Sequence, residues 1–170
     1  VAKDIFYNRI HAKQLLFRKC FSILLEVCVI EVRLATLNDS ESLFMLNKLF
    51  GNATTIEDLK NSLSKNKREL VCIAFVDGVA AGYACGLIIK SMCYSKCRAD
   101  IEALFVREEY REKGMGKALL ACLEKELERL GINHFHIITH EENNAAKALY
   151  TRLGYIADSE FLLEKTTKTP

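Results

Sequence analysis

The 170-residue sequence predicts an α/β or α+β domain of three layers, with helices on both faces of one central sheet. Three observations carry that prediction. Apolar runs of strand length recur from residue 29 onward, and runs with helical spacing separate them. The order opens with antiparallel hairpins and closes with a strand–helix–strand crossover. Composition agrees, since 50% of the residues are apolar and 27% charged, ordinary for one folded domain of this length.

Taken in order, "VIEVRLA" (29–35) alternates as a strand. "LNDSESLFMLNKLF" reads as a helix capped by Asn38 or Asp39, with Leu43, Leu46, Leu49 and Phe50 on one face. "TTIEDLKNSLSKN" is a second, more polar helix capped by Thr54 or Thr55. "ELVCIAFV" and "VAAGYACGLIIKSM" are strands joined by Asp77-Gly78, a strong hairpin signal between apolar runs. "ADIEALFV" (99–106) is a further strand. From Met115 a helix runs to Leu130, with Leu119, Leu123, Leu127 and Leu130 as its apolar stripe and Gly131 as its stop. "HFHIITH" (134–140) is a strand, "NNAAKALYTRLGY" a helix ending at Gly154, and "EFLLEK" a last strand.

Net charge is only +2, which argues against a nucleic-acid partner. Residues 1–28 hold five Lys/Arg against two acids, so the surplus sits in an N-terminal extension of unassigned role, while 29–170 forms the main domain. That extension is apolar in places, but Glu26 interrupts the run. It fits neither a cleaved leader nor a bilayer span, so the expectation is a cytoplasmic protein with no membrane partner, monomeric or homodimeric. Seven cysteines, an odd count scattered through apolar runs, read as free thiols. Cys93 and Cys97 lack the partners of a metal site, and so do His134, His136 and His140, which share one strand face. No metal is expected.

The stretch "EYREKGMGKALL" (109–120) places Gly114 and Gly116 where a helix begins, although glycine lowers helix stability. A P-loop requires GxxxxGK[ST], but Arg111 stands at its first glycine and Ala118 at its hydroxyl. A dinucleotide fingerprint fails because Leu119 occupies the third glycine position. What fits is an anion cradle: a bare helix N-terminus, backbone exposed by glycine, and a rim of Arg111, Lys113 and Lys117. A flexible loop with solvated charges is the plainer alternative.

"VREEYREKGMGKALL" resembles the acetyl-CoA signature [RQ]xxGx[GA] of the GCN5-related N-acetyltransferases (GNAT), through Arg111, Gly114 and Gly116. Downstream, "NNAAKALYTRLGY" is similar to that family's NxxAxxLYxxxGF segment through Asn143, Ala146, Leu149, Tyr150, Gly154 and Tyr155. The resemblance covers about residues 29–165 and implies a mixed central sheet with helices on both faces. It also implies acetyl-CoA as cosubstrate, its diphosphate held by backbone N–H groups of Arg111, Glu112, Lys113, Gly114, Met115, Gly116 and Lys117. The pantetheine arm would then pair with Leu104, Phe105 and Val106, and Asn143 would reach its side.

Acetyl transfer to an amine requires a neutral amine, a polarised carbonyl and a protonated leaving thiolate. Glu102, of the same strand parity as Leu104 and Val106, is the candidate base or substrate contact. A backbone N–H near Val106 would polarise the carbonyl, and Tyr150 is the candidate acid, although tyrosine at such a helix position commonly only packs. No cysteine falls in either motif, so direct attack in a ternary complex is expected, with a primary amine as acceptor. Acceptor specificity would lie near residues 45–60, where Glu57 and Asp58, together with Asp39 and Glu41, suit a cation or merely face water. The rival reading is a non-catalytic acyl-CoA-binding sensor or interaction module on the same fold.

Overall fold

In the computed structural model, which describes residues 28–159, 163, 165 and 166, one five-stranded sheet runs in chain order. The strands are β1 (Ile30–Leu34), β2 (Glu69–Val76), β3 (Val79–Ile89), β4 (Arg98–Val106) and β5 (Phe135–Ile137). The first four are antiparallel neighbours, and β5 is parallel to β4. Helices α1 (Ser40–Phe50) and α2 (Ile56–Lys65) connect β1 to β2, α3 (Met115–Arg129) makes the crossover from β4 to β5, and α4 (Asn144–Arg152) follows. Residues 1–27 and most of "EFLLEK" lie outside the described residues.

The central strands are apolar on both faces because both faces are covered. In β2, Cys72 and Ala74 enter a core with Leu119, Leu120, Leu123 and Leu127 of α3. Ile73, between them, enters a second core with Leu43 and Leu46 of α1 and with Tyr83 and Phe105. Helix α3 ends in paired bonds, Gly131 N–H to Glu128 O and Ile132 N–H to Leu127 O, and α4 repeats the pattern with Gly154 and Tyr155. The β2–β3 turn is Asp77-Gly78, both at positive φ (50° and 78°), the hand a two-residue hairpin prefers.

Some local expectations change. Leu49 and Leu130 are 61% and 60% exposed, so neither extends its apolar stripe into the core. Asp39 precedes α1 but does not cap it: its carboxylate turns back to Thr36 and Arg33, closing a capping box around the short 3-10 turn Leu37–Asp39. At α2 the cap is Thr55, in a reciprocal box with Asp58. Strand β5 is three residues long, not seven.

The change that matters most is in β4. Cys85 pairs with Ala103 while Gly86 pairs with Ile101, so Glu102 is the extra residue of a β-bulge. Ala99 and Ile101 face α3 before the bulge, and Leu104 and Val106 do so after it. Strict alternation would have put Glu102 with Leu104 and Val106. The bulge turns it to the α1–α2 side with Ala103.

Candidate active site

Between β4 and α3 the chain makes a 3-10 turn, Glu108–Tyr110, and then a loop that leads into the helix. Arg111 N–H still reaches Glu108 O, and the first helical bond is Ala118 N–H to Gly114 O. Among the described residues no acceptor takes a hydrogen bond from the N–H of Glu112, Lys113, Gly114, Met115, Gly116 or Lys117. Glu112 and Gly114 stand at positive φ (61° and 80°), and left-handed residues of this kind curl successive N–H groups into a concavity. With the α3 dipole behind it, that row suits an anion.

The two glycines have different tasks. Gly114 meets nothing where a Cβ would be, so its requirement is the left-handed backbone. Gly116 has ordinary dihedrals, and a Cβ there would lie 3.1 Å from Leu149 Cδ2 of α4 and 3.7 Å from Leu104 Cδ2 of β4. It lets three elements close up beneath the loop. The basic rim is partly engaged: Arg111 Nε donates to Val106 O at 2.9 Å, and Lys113 Nζ to Glu109 O at 2.9 Å. Lys117 is exposed.

Next to this loop β4 has an open edge. Pairing with β5 covers only Ala99–Ile101. Arg107 N–H bonds to Ala81 O across β3, and antiparallel alternation therefore aims the main-chain groups of Leu104 and Val106 at the other edge. Val106 O is taken by Arg111. Among the described residues nothing pairs with Leu104 N–H, Leu104 C=O or Val106 N–H, which suits them to an extended ligand. Phe105 offers that edge nothing, because it pairs with Tyr83 and its ring is buried. A chain that ends in a diphosphate and presents amides along its length fits this combination of edge and cradle.

On the opposite side of β4, where the bulge points, lies a cleft of about 440 Å³ walled by α1, α2 and β2–β4. Its charged lining among the described residues is Asp58, Glu69 and Glu102, with no lysine or arginine among them. Tyr83 OH donates to Asn47 Oδ1 at 2.6 Å, and Asn52 Nδ2 donates to the same oxygen at 2.7 Å. Burial pushes the Tyr83 phenol up to about 12. Glu69 accepts from Ser62 Oγ, from Asn66 Nδ2 at 3.1 Å and from Cys85 Sγ at 3.0 Å. Burial first, then Glu69 and Glu102, push the Cys85 thiol well above its ordinary value. Hydrogen bonds from Thr55 hold the Asp58 carboxyl below its usual range. Glu69, Tyr83, Asn47 and Cys85 escaped the sequence reading. The parity that joins Glu69 to Val71 and Ile73 was its one available signal, and it becomes useful only once α1 is known to cover that face.

The remaining candidates lie toward α4. Tyr150 packs with Leu149, Leu153 and Tyr155 against the α3 core, on the opposite face of the sheet from Glu102. Its ring centroid is 5.9 Å from that of Tyr155, whose hydroxyl donates to Glu124 of α3. Burial pushes the Tyr150 phenol up, and no described residue hydrogen-bonds its hydroxyl. Asn143 uses its side-chain oxygen to cap α4, accepting from Ala146 N–H at 3.1 Å. His134 and His136 do share a face, with Nε2 atoms 3.2 Å apart, and His136 Nδ1 lies 3.8 Å from Asp100. Among the described residues no three His, Cys, Asp or Glu side chains converge on one point. No helix among them is long and apolar enough to cross a membrane.

Bare main-chain donors at one end and carboxylates at the other suit transfer between an anionic donor and a cationic acceptor. The chain belongs to the acetyltransferase (GNAT) family, whose model matches residues 37–155. It is 30% identical over 108 residues to an acetyltransferase of Yersinia pestis, covering 64% of this chain and 72% of that one. It is 27% identical over 116 residues to a spermidine N(1)-acetyltransferase of Thermoplasma acidophilum, covering 64% and 68%. Its fold matches an aminoglycoside N-acetyltransferase solved with CoA at a TM-score of 0.74, with 21% identity over 84% of this chain and 99% of the other. The protein is an N-acetyltransferase with acetyl-CoA as its cosubstrate.

Proposed function

We propose that this enzyme acetylates a primary amine that carries further positive charge, such as a diamine or polyamine, by direct attack on acetyl-CoA. The observation that carries the proposal is the cleft at the β4 bulge, whose charged lining among the described residues is acidic. The similarity to a spermidine acetyltransferase supports the same acceptor class.

In this reading acetyl-CoA lies with its diphosphate on the N–H row of 112–117 and its pantetheine along Leu104 and Val106. The acceptor enters from the cleft as an ammonium ion and gives a proton to Glu102, directly or through water. Its nitrogen then attacks the thioester carbon, and the Val106 N–H stabilises the oxyanion that forms. Collapse expels the CoA thiolate, which takes the Tyr150 proton; the second proton of the attacking nitrogen then passes through water to the phenolate, and Glu102 returns the first to solvent. A covalent relay through the cleft cysteine is opposed by the same burial and carboxylates that raise Cys85, since its thiolate is scarce at neutral pH.

The test is thiol release from acetyl-CoA across mono-, di- and polyamines, aminoglycosides and free-amine peptides, in the parent and in Glu102→Gln. Polyamines are expected to have the highest kcat/KM, and the variant to lose about 10²-fold or more. Preference for uncharged-bodied monoamines or for peptides overturns the acceptor assignment. Full activity in the variant removes Glu102 from the chemistry.

A further inference from the structure

Two thiols meet inside the core that fastens α3 to the sheet. Cys72, in the middle of β2, is fully buried, and Cys122 of α3 faces it with the sulfurs 3.0 Å apart. Cys72 is flanked in the sheet by Leu34 on β1 and the small Ala84 on β3. Cys122 is only partly buried, whereas Cys72 is fully so, which makes Cys122 the one of the pair nearer to solvent. Neither sulfur belongs to the cleft or to the diphosphate loop. Their partner is each other.

We propose that Cys72 and Cys122 form a redox modification site that a low-molecular-weight disulfide, such as oxidised glutathione, converts into a cross-link between β2 and α3. The Cys122 thiolate attacks one sulfur of the reagent, whose S–S bond breaks, and the first small thiol leaves with a proton. Cys72 then attacks the Cys122 sulfur of the mixed disulfide, loses its proton and releases the second small thiol. Two protein thiols are oxidised by two electrons, and one reagent disulfide is reduced to two thiols. Closing the bond brings the sulfurs from 3.0 Å to about 2.05 Å, a shift of about 1 Å. Burial raises the Cys72 thiol, so the second step is the slow one and its rate rises with pH. Proximity makes that step intramolecular and favours closure over a standing mixed disulfide.

The bond would enclose a long loop, the two cysteines being 50 positions apart, which constrains the unfolded chain strongly. The expected effect is a rise in Tm of roughly 5–10 °C. The experiment treats the full chain with oxidised glutathione at pH 8, alkylates the remaining thiols after denaturation and maps the peptides by mass. A Cys72–Cys122 cross-linked peptide lacking two hydrogens is expected, with the rise in Tm reversed by dithiothreitol and absent from Cys122→Ser. Cys72→Ala should instead trap the small thiol on Cys122. The proposal is overturned if both cysteines remain alkylatable while exposed Cys93 is modified, or if the parent stops at a mixed disulfide on Cys122. Neither readout depends on the acceptor or on catalysis.

Discussion

At Tyr150, burial lifts the phenol's pKa above its ordinary value, so the group still holds its proton at the pH where a thiolate would need it. Under the proposed acid role, the alkaline fall of kcat should come above pH 10 or so, where an exposed tyrosine would lose its proton. Tyr150→Phe removes only the hydroxyl, which no described residue bonds, and keeps the ring against Leu149 and Tyr155. The expected outcome is a drop in kcat of about 10²-fold with Tm and acetyl-CoA affinity nearly unchanged, checked by steady-state kinetics beside equilibrium binding. An unchanged kcat would leave Tyr150 as packing alone. Tyr150 was legible because the motif fixes its place on α4. The side chain of Asn143 was legible as to position but not as to task, since any Asn before a helix also caps it, and here it does.

The loop and first turn of α3 act as one element, and the two glycines there separate binding from folding. At Gly114 the left-handed φ of 80° costs a residue with a Cβ roughly 1–2 kcal/mol, a β-branched one most, with no atom within 4 Å of that Cβ to clash. Gly114→Val should therefore fold and weaken acetyl-CoA binding by tenfold or more, as read by calorimetry alongside thermal melts. Gly116→Val should lose stability as well as binding, because its Cβ would stand 3.1 Å from Leu149 Cδ2 and Leu149 must shift to admit the side chain. If the two variants behave alike, the glycines share one role. Much of this element was written in the sequence: the helix start at Met115, its stop at Gly131 and the order of the neighbouring strands all follow from period and turn residues. The bulge was not. Nothing in "ADIEALFV" marks Glu102 as an inserted residue, because every position is compatible with regular alternation, and the insertion is specified by pairing with β3. A one-residue slip moves a side chain to the other face, so the side that Glu102 serves was beyond reach without its partner strand. The short β5 is a similar case, since an alternating stretch does not say where its neighbour parts from it.

At the scale of the molecule, the α1–α2 layer must stay seated on the sheet for the cleft to exist, and one ion pair fastens its leading end. Arg33 of β1 reaches Asp39 with two nitrogens, at 2.7 and 2.9 Å, and stacks its guanidinium over Phe75 at 5.1 Å. Asp39 Oδ2 also accepts from the Thr36 N–H and hydroxyl, so a carboxylate only 5% exposed accepts four hydrogen bonds, three at Oδ2 and one at Oδ1. The Arg33 hydrogen bonds, and then those of Thr36, hold its pKa at about 2 against an unfolded value of 3.8. A folded pKa below the unfolded one stabilises the native state above pH 3.8, and that contribution is lost as pH falls toward 2. A shift of this size corresponds to about 2 kcal/mol at neutral pH. Asp39→Asn should remove it and leave Arg33 under-paired, lowering Tm at pH 7 by roughly 4–8 °C. The gap between variant and parent should then narrow between pH 4 and pH 2, as protonation of the parent's Asp39 weakens the pair the variant lacks. A gap that stays constant down to pH 2 would mean that the layer is held by the Leu43 and Leu46 contacts alone.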